Sequence, residues 1–287
     1  MRLIWIILLF VASLLAGPAR AGAADRFFTT SDGVRLHMID TGPANPTRPV
    51  LVFVPGWTMP GWIFQPQIDA FSLHYRVVVL DPRGQGSSDV PTSGYTYERR
   101  GQDIAELVET LRPAHVVLIG WSLGVLDSLA YVHSHGDAAL AGLVLIDNSV
   151  GEEPAPAASR HPTHRALLQT HAAFMAGFVR TMFHRPQPPA YLKQLTEAAL
   201  RTPERAANAL LAYNVPRSYW REAVYSTAKP VLYVVRTALA GQAGNLAAHH
   251  PAAETMVVAD LGHALFVDDP QRFNNVMQSF LSRRVGS

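Results

Sequence analysis

One short stretch, residues 116–127, constrains the fold of this chain more than any other. Four apolar residues at 116–119 predict a buried strand, which runs through Gly120-Trp121-Ser122-Leu123-Gly124 into a helix-like segment. A serine on so sharp a turn needs neighbours without side chains two positions away on either side, and Gly120 and Gly124 meet that need. The pattern predicts a nucleophilic serine, and a tight turn with a structural serine is the alternative.

Apolar runs on both sides of this stretch predict further strands. Segments 27–30 and 34–39 flank a turn at 31–33, which is a hairpin signal. Further strands are predicted at 50–54, 76–80, 143–146, 231–235 and 255–258, with helices at 64–73, 95–111 and 271–281. Strands that alternate with helices are typical of an α/β protein with a parallel sheet covered on both faces.

Residues 150–228 have a different character from the rest of the chain. Prolines divide them into helical stretches at 166–183, 191–201 and 204–213, and no convincing strand is present until residue 229. We therefore expect a helical cap at 150–228, inserted after strand six into a core domain formed by 22–149 and 229–287.

The first 21 residues have the pattern of a secretory signal peptide. Arg2 precedes an apolar core at 3–15, and Ala19-Arg20-Ala21 is a small-x-small cleavage site. The apolar run is short for a membrane span, so a cleaved signal is favoured over an uncleaved anchor. The prediction is a secreted or periplasmic protein with no stable membrane partner.

Composition excludes several function classes. The chain has no cysteine, which rules out disulfides, thiolate metal sites and cysteine nucleophiles. Its formal charge of +2 falls to zero once Arg2 and Arg20 are removed with the signal, so we expect no nucleic-acid partner. No phosphate-binding glycine loop is present, and adjacent His249 and His250 diverge on a helix. We therefore expect no cofactor and no metal, and nothing predicts an oligomeric state.

Four motifs, in order, resemble the α/β-hydrolase fold superfamily of small esterases, haloperoxidase-like perhydrolases and C–C hydrolases. They are Pro55-Gly56-Trp57, the segment 81–88 (DPRGQGSS), the segment 120–124 (GWSLG), and Gly262-His263 followed by Asp269-Pro270. The resemblance covers nearly all of the chain outside the cap and the signal. It implies a mostly parallel eight-stranded sheet flanked by helices.

The same resemblance implies a serine hydrolase that cleaves a small or medium apolar ester, thioester or related acyl substrate through an acyl-enzyme. Perhydrolysis, C–C cleavage or a lyase step on the same site stays open, because a fold does not determine a reaction. A ligand-binding descendant with little turnover is the hypothesis from another class. Two observations support this hypothesis: no acid follows strand seven, and Val125 stands where relatives often carry a second glycine.

A serine hydroxyl needs a base within hydrogen-bond reach and a third group that orients the base. Ser122 is the predicted nucleophile. Among twelve histidines, His263 follows a predicted strand and a glycine in the last loop, where the carboxyl edge of the sheet would bring it beside Ser122. We predict that His263 is the base.

The orienting acid departs from the common pattern of the superfamily. Most relatives carry an aspartate after strand seven, but here no carboxylate follows that strand until Glu254. Asp147, at the end of strand six, resembles the haloalkane-dehalogenase arrangement and is the predicted acid. A structural Asp147 that binds backbone amides, Asn245 in the acid's place, and no acid at all are the alternatives.

An oxyanion hole requires two backbone donors that point at the developing charge. We predict that these donors are the amide of Leu123 and the amide of Trp57, which follows Gly56. Leu123 begins the helix after the serine turn at residues 120–124, which we call the elbow. Trp57, Trp62 and Trp121 are candidate apolar walls of a substrate pocket, with a core role as the alternative for each.

Overall fold

The computed structural model describes residues 23–285 except for 44, 46, 113 and 157–169. The predicted signal peptide, residues 1–21, lies outside the described residues. The described chain contains one eight-stranded sheet. Its strands are β1 (Ala24–Thr29), β2 (Arg35–Asp40), β3 (Val50–Val54), β4 (Val77–Leu80), β5 (Val116–Trp121), β6 (Leu140–Ile146), β7 (Val231–Arg236) and β8 (Ala253–Val258).

The order of strands across the sheet is β1-β2-β4-β3-β5-β6-β7-β8. The β1–β2 and β2–β4 pairs are antiparallel, whereas every pair from β4 to β8 is parallel. The predicted α/β class and mostly parallel sheet are confirmed. Because the parallel strands point the same way, the loops that follow β3, β5, β6, β7 and β8 meet at one edge.

Strand β3 shows why the sheet is covered on both faces. All five of its residues are buried. Val50, Val52 and Val54 belong to one apolar core, whereas Leu51 and Phe53 belong to the other, as the two-residue period of a strand requires. A continuous apolar run is therefore consistent with a central strand that has helices on both sides.

Ten α-helices occupy the described part of the chain. They are α1 (Gln65–Phe71), α2 (Tyr97–Thr110), α3 (Leu123–His135), α4 (His171–Thr181), α5 (Pro189–Leu200), α6 (Glu204–Leu210), α7 (Arg217–Ser226), α8 (Ala240–His249), α9 (Leu265–Asp268) and α10 (Pro270–Phe280). Polar caps begin three of them: Thr96 accepts a hydrogen bond from the Arg99 amide before α2, Thr170 accepts one from the Ala173 amide before α4, and Asp269 accepts one from the Arg272 amide before α10.

Helices α4 to α7 lie between β6 and β7, in the segment predicted as a cap. Helix α7 was not predicted, although its apolar residues at 220, 223 and 224 have the spacing of an amphipathic helix. In the structure Trp220, Ala223 and Val224 are buried, and α7 packs against α3 as part of the layer that covers the sheet. The predicted cap segment therefore also supplies one helix of the core layer. Among the described helices, none has the length and apolarity needed to cross a membrane.

Candidate active site

Ser122 stands on the turn between β5 and α3 in a strained conformation. Its φ of 55° and ψ of −119° lie in a region that residues other than glycine rarely adopt. A side chain at position 120 would collide with the Gly124 carbonyl, and one at position 124 would collide with the Val54 carbonyl. The two glycines therefore allow β5, β3 and α3 to approach closely enough to hold the serine at the sheet edge.

His263 lies in the loop between β8 and α9 and faces Ser122. Its Nε2 is 2.8 Å from the Ser122 Oγ, and its Nδ1 is 2.6 Å from the Asp147 Oδ2. With these partners, Nδ1–H donates to the carboxylate and Nε2 accepts from the hydroxyl. The structure thus brings together Ser122, His263 and Asp147. Along the chain, His263 is 141 residues from Ser122 and 116 residues from Asp147.

Asp147 is held at the end of β6 by the end of β7. Its φ is 51°, and its side chain is only 1% exposed. The Arg236 backbone amide donates to Oδ1 at 3.0 Å, and the Arg236 Nε–H donates to Oδ2 at 2.6 Å. Asn245, the predicted alternative to Asp147, lies on α8. Its side-chain amide donates to the Glu153 carbonyl, so it does not take the acid's place.

Electrostatics favour the ionised form of the Asp147 carboxyl group. Burial acts to raise the pKa of Asp147, but the hydrogen bond from His263 and the charges of His263 and Arg236 outweigh it, so the pKa lies below the ordinary value. An ionised carboxylate is the state that an orienting acid requires.

Sequence reasoning missed two polar contacts of the site. Arg236 was not among the predicted site residues, because the segment that it begins contains no acid. The available signal was a cation at the end of a buried strand, where a carboxylate partner is expected. Asn148 was not considered, and its Nδ2–H donates to the Ser122 carbonyl at 2.8 Å. The Tyr233 hydroxyl in turn donates to the Asn148 carbonyl at 2.8 Å, so Asn148 links β7 to the turn that carries Ser122.

The two predicted oxyanion donors are backbone amides of the loop after β3 and the first turn of α3. Within the described residues, the amides of Trp57 and Leu123 donate to no protein acceptor. Gly56 leaves space for a substrate oxygen, since a Cβ there would lie 2.9 Å from the Ser122 Cβ. Gln85 braces this loop because its side-chain oxygen accepts from the Thr58 amide and its nitrogen donates to the Gly56 carbonyl.

The three predicted pocket tryptophans occupy different surroundings. The Trp57 ring packs edge-on against Phe178 of α4, and its Nε1–H donates to the Ala207 carbonyl of α6 at 2.7 Å. Trp62 is half-buried and meets Tyr191 of α5. Trp121 is only 1% exposed. Its Nε1–H donates to the His263 carbonyl, so Trp121 takes the core role beneath the site and not that of an open pocket wall.

Asp268 connects the His263 loop to the segment that follows α4. Its neighbour Asp269 caps the last helix, whereas Asp268 does not. The Asp268 carboxylate instead accepts from the Gly262 amide at 2.6 Å and from the His184 amide at 2.8 Å. The loop that carries His263 is therefore anchored to the cap segment.

No group of three histidine, cysteine or acidic side chains in the described ranges could hold a metal ion. The two histidines at 249 and 250 have structural partners. The His249 ring bonds the Asn245 carbonyl, and the buried His250 ring bonds the carbonyls of Val224 and Thr227.

Comparisons with known proteins agree with the fold. The non-heme chloroperoxidase CPO-A1 of Kitasatospora aureofaciens is 33% identical over 119 residues, 41% of this chain and 42% of that protein. The AB hydrolase superfamily protein YisY of Bacillus subtilis is 28% identical over 137 residues, 47% of this chain and 48% of that protein. The aligned part thus spans less than half the length of these relatives.

A crystal structure named as an aryl esterase, from Burkholderia cenocepacia, superimposes with a TM-score of 0.77 at 24% identity and covers 91% of this chain and all of that one. At this identity the likeness shows the fold alone. The sequence model of the alpha/beta hydrolase family matches residues 51–276, which include the elbow, Asp147 and His263. The chain therefore belongs to the alpha/beta hydrolase family.

Proposed function

We propose that this protein is a serine hydrolase that cleaves a small or medium apolar ester, thioester or related acyl substrate. Ser122 is the nucleophile, His263 the general base, Asp147 the orienting acid, and the amides of Trp57 and Leu123 the oxyanion donors. The observation that carries the proposal is the pair of hydrogen bonds of the His263 ring, 2.8 Å to the Ser122 Oγ and 2.6 Å to the Asp147 Oδ2.

The geometry suggests the following sequence of steps. His263 Nε2 takes the hydroxyl proton as the Ser122 oxygen attacks the acyl carbon, and the two amides bind the resulting oxyanion. The imidazolium then gives its proton to the leaving alcohol or thiol, and an acyl-enzyme remains. His263 next removes a proton from water, which attacks the acyl carbon, and the imidazolium returns that proton to the departing Ser122 oxygen as the acid is released.

One feature supports turnover over a purely binding role, and another supports an apolar acyl group. A descendant without turnover has no need of a carboxylate beside the far nitrogen of the histidine, whereas Asp147 occupies that position. The loop after β3 and the cap segment meet through aromatic side chains, including Trp57 and Phe178, which supports an apolar acyl group.

Perhydrolysis of a carboxylic acid is the second candidate reaction. It is favoured by the relatives named non-heme chloroperoxidase, of which the one from Streptomyces lividans is 36% identical over 41% of this chain. In this reaction hydrogen peroxide takes the place of water in the second step and the product is a peracid. Action outside the cytoplasm is proposed on the signal-like sequence of residues 1–21 alone.

The test compares Ser122→Ala with Ser282→Ala, a matched change at an exposed serine that bonds only within its own turn. Ser122→Ala should abolish labelling by a fluorophosphonate and the hydrolysis of p-nitrophenyl esters, whereas Ser282→Ala should leave both unchanged. Wild-type turnover of esters of increasing chain length, a lactone, and acetate with peroxide then ranks the reactions. Full activity in Ser122→Ala would overturn the proposal.

A further inference from the structure

Arg236, the last residue of β7, shares one carboxylate oxygen with His263. The Asp147 Oδ2 accepts both the Arg236 Nε–H and the His263 Nδ1–H, each at 2.6 Å. The Arg236 amide holds the other oxygen at 3.0 Å. Arg236 therefore limits the rotation of the carboxylate through two donors while it competes with the histidine for its charge.

The guanidinium also approaches the histidine ring itself. The Arg236 Nη2 lies 3.4 Å from the His263 Nδ1. Because Nδ1–H already donates to Asp147, this contact is the approach of a cation to the ring and not a second hydrogen bond. Arginine is charged at every pH of interest, so a protonated His263 places two positive charges on one carboxylate.

We propose that Arg236 is a positioning residue that holds Asp147 for His263 and lowers the pH at which the His263 base becomes available. This inference rests on the proposed function of the same site. Its physical basis is that a nearby like charge disfavours the protonated ring, and that a carboxylate already paired with a guanidinium compensates an imidazolium less well.

Other charged and titratable groups near the His263 ring are engaged elsewhere. From the cap side, Arg185 pairs with Asp269, and in the loop of His263 itself Asp260 pairs with Arg272. Asp268 accepts the Gly262 and His184 amides. From β7, Tyr233 donates to a backbone carbonyl. Arg236 and Asp147 are thus the charges that directly contact the ring.

The experiment measures kcat and KM for ester hydrolysis against pH in the full chain for wild type, Arg236→Met and Arg236→Lys. The acid limb of the kcat/KM profile of Arg236→Met should move to higher pH by about one unit, because the neighbouring charge is gone. Arg236→Lys keeps the charge, so its limb should stay near the wild-type position. Its kcat should fall severalfold because an ammonium lacks the fork that holds the carboxylate.

Arg283→Met is the matched control, since Arg283 pairs with Glu254 on β8, away from the site. Its profile should coincide with that of wild type. An Arg236→Met profile with an unmoved acid limb overturns the proposal, whether or not kcat falls. If Arg236→Met does not fold, Arg236→Gln makes the same comparison, because a neutral amide keeps a donor and removes the charge.

The outcome is separable from that of the proposed function. If Ser122→Ala shows that esters are not turned over at this site, the proposed function fails. The pH titration of the position-263 imidazole signal, followed by NMR in wild type and Arg236→Met, still tests the inference. A titration midpoint that rises in Arg236→Met supports it, and coincident midpoints overturn it.

Discussion

Arg83 and Arg236 are two of the arginines that form close ion pairs with buried aspartates, and these two pairs differ in what else contacts the carboxylate. Arg83 is fully buried and pairs with Asp103 at 2.6 Å, whose carboxylate also binds Arg99. Arg236 is 40% exposed and pairs with Asp147, whose carboxylate also binds the His263 ring. The first cluster contains only arginine and aspartate side chains, whereas the second also contains a histidine, which gains and loses a proton in the proposed mechanism.

An arginine–aspartate pair thus has a structural role where its third partner is another arginine, and under the proposed function it serves the active site where the third partner is His263. Near neutral pH, each charge of the Arg83 cluster has a partner of opposite charge. The cluster can therefore only hold β4, its following loop and α2 together. In the Asp147 cluster the compensation changes as His263 titrates. Four experiments test whether the two clusters differ in this way.

The largest effect is expected for Asp147→Asn. Loss of the orienting carboxylate should lower kcat by about 10⁴-fold while the protein stays folded, since the amide no longer fixes the ring or stabilises the imidazolium. The measurement is ester turnover beside a thermal melt. Asp69→Asn, at an exposed position of α1, should leave the rate unchanged. A mild effect at position 147 would exclude it as the orienting acid.

Arg83→Met should act on stability and not on the chemistry. It leaves buried Asp103 with only Arg99, so the free energy of unfolding should fall by about 3 kcal/mol, near the lower end of the range for a broken buried pair. Urea unfolding measures this. Arg112→Met breaks an exposed pair with Glu109 and should cost less than about 0.5 kcal/mol. Equal losses in the two variants would contradict the structural role of Arg83.

Moving the acid from β6 to β7 tests whether position in space, and not the strand of origin, makes the carboxylate functional. In the background Asp147→Ser, the change Arg236→Glu places a carboxylate at the end of β7 instead of the end of β6. The double variant should be about tenfold faster than Asp147→Ser alone, because a roughly placed acid recovers part of the orientation. A double variant no faster than the single one would show that the end of β7 cannot present an acid to His263.

The smallest effect is expected from Asp32, which completes the Arg83 cluster. The hydrogen bond from Arg83 lowers the pKa of Asp32 to about 2, below the value of about 3.9 expected in the unfolded chain. The ionised carboxylate therefore stabilises the native state above about pH 4, and this contribution is lost as the pH falls towards 2. Asp32→Asn should flatten the pH dependence of the unfolding free energy in that window, modestly because the side chain is 36% exposed. An unchanged slope would contradict the lowered pKa.

Much of the fold and part of the candidate site could be predicted from the sequence. The strands from β1 to β8 were predicted within a few residues, because buried parallel strands are continuous apolar runs and their ends carry turn residues. Helix α7 escaped prediction because its burial depends on α3, a partner distant in sequence. Asp147 was one of several alternatives for the acid, since a strand-end aspartate looks the same whether it binds amides or a histidine.

The strand-turn-helix around Ser122 and the family of the chain follow from the amino-acid sequence alone. Both depend on local requirements, such as glycine where two backbones touch and apolar residues where a strand is covered on both faces. Only the tertiary structure decided that Asp147, His263 and Arg236 meet at one carboxylate oxygen. That meeting arises from the register of β6 and β7 and from the path of the last loop, and no local pattern in the chain encodes the distance between side chains on separate strands.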